Sequence, residues 1–105
     1  MRELRFIADK QKLKKDRDCD FKNIVSGSVG YLSAVFVTTS EWNGCAMVAR
    51  FSGGGQEDFA PVVDGKCVVP ESVLSGGSFL VQLLGTRGDD YKIASTEAIV
   101  LQKEA

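Results

Sequence analysis

The chain has 105 residues, 44% of them hydrophobic and 26% charged, with a formal net charge of −1. That length suits one domain, and the balance excludes a disordered chain, a low-complexity fibre and a global cationic field for nucleic acid. Histidine is absent, which removes every Ser-His or Cys-His nucleophile pair and every His-ligated metal site.

Residues Met1 to Ile7 hold no apolar run of signal length and no small-residue cleavage site, so no secretory leader is expected. Leu4, Phe6 and Ala8 then alternate with Arg5 and Asp9, the period of a half-buried strand. A basic cluster follows: Lys10, Lys12, Lys14, Lys15 and Arg17. Residues 1–17 carry a net charge of +4 and the remaining residues −5. The cluster reads as a solvated hairpin or an edge strand whose lysines discourage sheet pairing, or as a docking strip. Phosphate contact is the competing reading, but no aromatic interleaves the lysines to stack on bases, so nucleic acid is not expected.

Cys19, Phe21, Asn23 and Val25 alternate with Asp20, Lys22 and Ser26, and predict a second strand. Leu32, Ala34 and Phe36 share one face of the next strand, with Val35 and Val37 on the other. Apolar residues on both faces suggest a strand sandwiched between layers, and Ala34–Val37 is too short to cross a bilayer. No membrane association is expected. Trp42, the only Trp, precedes Asn43-Gly44. It reads as a plug at the end of the core or, if exposed, as a sugar-stacking ring together with Tyr31 and Tyr91.

Cys45, Met47, Ala49 and Phe51 predict another strand, ending at Gly53-Gly54-Gly55. Gln56-Glu57-Asp58 follows these glycines, and carboxylates there would repel a phosphate, so the triplet reads as a loop between strands. Asp64-Gly65 between Phe59–Val63 and Lys66–Val69 is a two-residue hairpin signal. Pro70-Glu71-Ser72-Val73-Leu74 predicts the one helical turn, with Gly76 to stop it. Phe79–Leu84 and Ile93–Leu101 complete the strands, separated by Arg87-Gly88-Asp89-Asp90. That last segment spells an adhesion tripeptide and equally an ordinary turn; without a leader, adhesion is not expected.

Glu57, Asp58, Asp64, Glu71, Asp89 and Asp90 fall in or beside turns and read as solvated charges rather than as a paired acid and base. The three cysteines are odd in number and form no C-x-x-C pair. They predict free, mostly buried thiols, with a Cys45–Cys67 bridge as the alternative. No cofactor and no metal are expected.

The expected fold is all-β: a single domain over residues 1–105, an immunoglobulin-like antiparallel sandwich of seven or eight strands with one helical turn near 70–74. A partly open small barrel is the alternative. Its core is expected on Phe6, Phe21, Phe36, Met47, Phe51, Phe79, Val81 and Leu83.

Ile24-Val25-Ser26-Gly27-Ser28, Tyr31-Leu32, Val35-Phe36, Glu41-Trp42-Asn43-Gly44, Val48-Ala49-Arg50-Phe51, Lys66-Cys67-Val68-Val69-Pro70-Glu71-Ser72-Val73-Leu74, Phe79-Leu80-Val81-Gln82-Leu83-Leu84-Gly85 and Ile93-Ala94-Ser95-Thr96 follow one another in that order. In that order the run resembles the small immunoglobulin-like structural modules of virions of tailed bacteriophages and prophages of Gram-positive bacteria, associated with tail, baseplate or head fibre. The resemblance implies a non-catalytic assembly role by protein–protein docking, with other virion proteins as partners and a homo-oligomer or array on the particle. It implies location in the virion, and in the host cytoplasm during assembly. The alternative function is a carbohydrate-binding module for host cell-wall glycans, resting on Tyr31, Trp42 and Tyr91.

Overall fold

A computed structural model describes residues 1–104. The chain enters as a hairpin, β1 (Arg2–Asp9) and β2 (Lys12–Lys15), turned at Lys10, whose φ is +55°. After a crossing segment comes β3 (Leu32–Thr38), a 3-10 turn at Ser40–Trp42, and the hairpin of β4 (Ala46–Gly53) and β5 (Gln56–Val62). Then follow β6 (Lys66–Val68), a second 3-10 turn at Glu71–Val73, β7 (Ser78–Arg87), β8 (Tyr91–Ala94) and β9 (Ala98–Leu101).

Two sheets result. One runs β2-β1-β3-β6; the other runs β5-β4-β7, with β8 and β9 both on the far side of β7. From β3 to β8 the chain alternates between sheets in the manner of an immunoglobulin-like sandwich: β3 and β6 lie in one layer, β5-β4-β7-β8 in the other. The all-β class, the sandwich and the helical turn inside 70–74 agree with the sequence.

The described residues form nine strands. β8 and β9 are two halves of one strand: Leu84 pairs with Ala94 and Val81 with Ala98, so three residues, 95–97, oppose two on β7. One extra residue on one side is a β-bulge. The sandwich is also not purely antiparallel. β1 runs parallel to β3 over seven paired positions, Arg2↔Leu32 to Ala8↔Thr38. Alternation within a strand carries no information about its neighbour's direction, so this pair was not foreseeable from periodicity.

The strand expected over 19–25 does not form. Asp16 Oδ1 accepts from the Asp18 N–H at 3.0 Å, and Asp20 Oδ1 from the Lys22 N–H at 2.8 Å. These local bonds compete with a ladder. Asn23 has φ +57°, which breaks the extension. Val25 alone pairs, with Lys103.

The turns follow their residues. Gly54 and Gly55 (φ +58° and +77°) make a tight β4–β5 hairpin, and Asp64 and Gly65 (φ +52° and +76°) the β5–β6 turn. Positive φ at both central residues suits the twist of antiparallel strands.

The core holds Leu4, Phe6, Phe36, Trp42, Phe51, Phe79, Val81 and Leu83, each at most 5% exposed. Phe21 and Met47, expected at its centre, are only partly buried against it. The runs with apolar residues on both faces are not sandwiched between layers. The described residues form two layers only, so Val37 (51% exposed) faces outward.

Candidate functional site

One end of the sandwich is knitted shut. Trp42 sits on the turn between β3 and β4, 1% exposed, and its Nε1 donates to the Lys10 carbonyl at 2.8 Å. Its ring lies over Gly85 of β7, where an added Cβ would come within 3.1 Å of ring carbons. The Tyr91 hydroxyl donates to the Glu41 carbonyl at 2.7 Å, and the Arg87 guanidinium lies 4.2 Å over the Tyr91 ring. Thr39 Oγ1 donates to the Glu41 carboxylate at 2.7 Å, a bond that holds its pKa below the ordinary range.

This geometry dismantles the sugar platform. Trp42 offers no ring to solvent, one face of Tyr91 is taken by Arg87, and Tyr31, 52% exposed, precedes the first residue of β3 at its opposite end from Trp42. Seven residues of β3 span roughly 23 Å at about 3.3 Å each. No two of the three rings share an open face. A Trp at a strand end has a polar N–H that can be satisfied inside, which makes it an effective plug.

The basic residues do cluster. Lys10 is in the β1–β2 turn, Lys12, Lys14 and Lys15 are on the edge strand β2, and Arg17 follows; all five are exposed. Lys14 Nζ is 3.9 Å from Asp9, and the Lys15 ammonium is 5.6 Å from the Phe21 ring. Leu13 turns inward between them. The edge is partly covered from the other sheet: Thr96 in the bulge donates its N–H to the Gln11 carbonyl at 2.7 Å and accepts from the Leu13 N–H at 3.1 Å.

The acidic candidates divide. Asp89 and Asp90 are in the exposed β7–β8 turn, and Glu57 and Asp58 on the edge strand β5, with Asp64 in the turn after it. Glu71 opens the second 3-10 turn, and Ser72 there donates to Asp58 Oδ2 at 3.2 Å. Among the described residues no three His, Cys, Asp or Glu gather to hold a metal. Among the described residues no helix is long and apolar enough to cross a membrane. The three thiols are free. Cys67 is buried, and burial pushes its pKa up to about 11. Cys19 and Cys45 are only half-buried, against the expectation that most would be inside.

An open depression of about 600 Å³ is lined by Ser26, Gly27, Ser75, Gly76, Gly77 and Glu104. It holds one carboxylate, and the Ser26 hydroxyl is spent donating to the Gly76 carbonyl at 2.9 Å.

The feature that periodicity missed is the outer face of the β5-β4-β7-β9 sheet. Register aligns Pro61, Val48, Leu84 and Ala94 in one row, and Leu80 with Ile99 in another. Phe59, Ile99 and Leu101 are 51%, 48% and 66% exposed. Arg50 lies centrally, donating to Glu57 at 2.8 Å and to Gln82 and Glu97 at 3.2 Å each. The available signal was Leu80, Leu84, Ile99 and Leu101, which stand out of phase with the inward set.

No family model matches the chain, and neither does any curated protein or solved structure.

Proposed function

We propose that the chain is a non-catalytic structural module of a phage or prophage virion, working by protein–protein docking. The observation that carries the docking part is the outer sheet face with Phe59, Ile99 and Leu101 exposed around a neutralised Arg50 centre. The apolar side chains flank a polar centre, and uncovered apolar surface beside polar groups fits an interaction site better than chemistry. The sheet beneath is stiff, because both flanks of the sandwich are tied. A rigid face costs little ordering entropy on binding, and many weak copies on a particle gain avidity. The virion setting rests on the ordered resemblance from Asn23 to Thr96.

The experiment is mass spectrometry of gradient-purified particles from an induced host that carries the gene. The chain should band with the particles, in fixed ratio to the major structural proteins across the gradient. Full recovery in the soluble lysate, with none in the particle band, would reject the virion role.

A further inference from the structure

Sheet order separates opposite charges across the width of the molecule. β2 lies on the flank where Thr96 joins the sheets, beside β9; β5 and β6 form the opposite flank, joined through the 63–66 turn. On the β2 flank, Lys10, Lys12, Lys15 and Arg17 are exposed, and among the described residues none has a carboxylate within 4.0 Å. On the β5 flank, residues 56–64 hold Glu57, Asp58 and Asp64 with no Lys or Arg, and Glu71 packs beside them. Of these four, only Glu57 reaches a cation, Arg50. The one cation of β6, Lys66, is paired with Glu3 at 3.0 Å. Each flank also has uncovered apolar side chains: Ile99 and Leu101 beside the basic edge, Phe59 and Val63 beside the acidic one.

We infer that a second copy of this chain docks head to tail, the basic β2 flank of one copy against the acidic β5 flank of the next. This rests on the docking reading above and adds the partner and the two surfaces. A two-fold contact of like flanks would oppose like charges; an edge-to-edge contact of unlike flanks is heterologous, and it propagates into a ring or an open row. Strand addition is not the mode. Lysines line β2, and Pro61 interrupts β5, devices that block edge pairing. The charges orient the contact, and the apolar side chains hold it.

The test is sedimentation of the full chain from about 10 µM to about 1 mM, at about 50 and about 500 mM salt, a range that cuts the screening length severalfold. Three variants are compared: K12E/K15E, D58K/E71K and all four changes together, each checked by melting to be folded. Wild type should grow beyond dimers at low salt and weaken at least about tenfold at high salt. Each two-site variant should stay monomeric alone, while a mixture of the two, and the four-site variant, should associate again. Wild type monomeric throughout, a salt-insensitive closed dimer, or a four-site variant that does not recover would overturn the inference. Because particle incorporation is read separately, loss of self-association leaves the virion reading standing, and loss of incorporation leaves the self-contact standing.

Discussion

Trp42 shows how much one side chain can do at the end of a sandwich. It fills the space over Gly85, and its indole N–H satisfies the Lys10 carbonyl at the β1–β2 turn. Truncation would leave a large cavity and strip that carbonyl of its partner. Trp42→Ala should cost about 3–5 kcal/mol in urea unfolding. In the native protein, indole emission should be blue-shifted and unaffected by cell-wall oligosaccharides; quenching or a shift on their addition would restore the sugar-stacking reading. Cys67 gives a second expectation. Its raised pKa keeps the thiol protonated at neutral pH, and burial denies access. A thiol reagent at pH 8 should modify Cys19 and Cys45 well before Cys67, and the third equivalent should appear only with unfolding. Neither result follows from composition. An isolated Trp beside Asn43-Gly44 is compatible with a plug or a platform, and the alternation around each cysteine does not reveal which are truly enclosed.

The crossing segment from Asp16 to Tyr31 is held by individual polar bonds. Arg2 donates through its guanidinium to the carbonyls of Asp20, Lys22 and Asn23, at 2.9, 2.6 and 3.2 Å. Arg5 Nε donates to Asp16 Oδ2 at 2.7 Å. Arg2→Ala should therefore speed amide exchange over 19–25, while global stability falls by only about 1 kcal/mol, as fits partly exposed bonds. Uniform acceleration across both sheets would show that the clamp is global. The Arg5 bond, then the Asp18 N–H, holds the Asp16 pKa below its ordinary 3.8. A depressed carboxylate stabilises above its unfolded pKa, and that contribution is lost as pH falls through the lower folded value. Asp16→Asn should lower stability at pH 7 and flatten its decline below about pH 4; an unchanged acid profile would contradict the pair. The β5–β6 turn is legible because Asp64-Gly65 specifies positive φ, and the glycines after β4 mark a break between strands without fixing its length. The 19–25 segment is not legible in the same way, because its alternation mimics a strand while Asp16 and Asp20 divert the backbone locally.

Across the whole molecule, one core spans both sheets, and the ties at the flanks are minor by comparison. Phe6 of β1 stacks on Phe36 of β3 with centroids 5.6 Å apart and meets Phe21 of the crossing segment edge-on at 5.5 Å. The Phe36 contact, together with the parallel β1–β3 ladder, joins the N-terminal hairpin to the part of the chain with immunoglobulin-like connectivity. Phe6 is 0% exposed, so Phe6→Ala carries the full transfer and cavity cost, about 3–5 kcal/mol. Thr96→Val removes the acceptor for the Leu13 N–H but leaves the backbone bond to Gln11 intact. An orphaned amide near the surface costs about 1–2 kcal/mol. The ordering decides between two pictures of the molecule. If the shared core governs, Phe6→Ala lowers the urea midpoint far more than Thr96→Val, and the slope of free energy against urea stays constant in both. Far-ultraviolet dichroism and Trp42 emission should then report one transition, since the indole end and the sheets unfold together. If instead the N-terminal hairpin is an appendage tied on at Thr96, Thr96→Val will release it alone. The two probes will separate, because the Trp42 indole, bonded to the Lys10 carbonyl in the β1–β2 turn, reports the loss of the hairpin before the remaining strands melt.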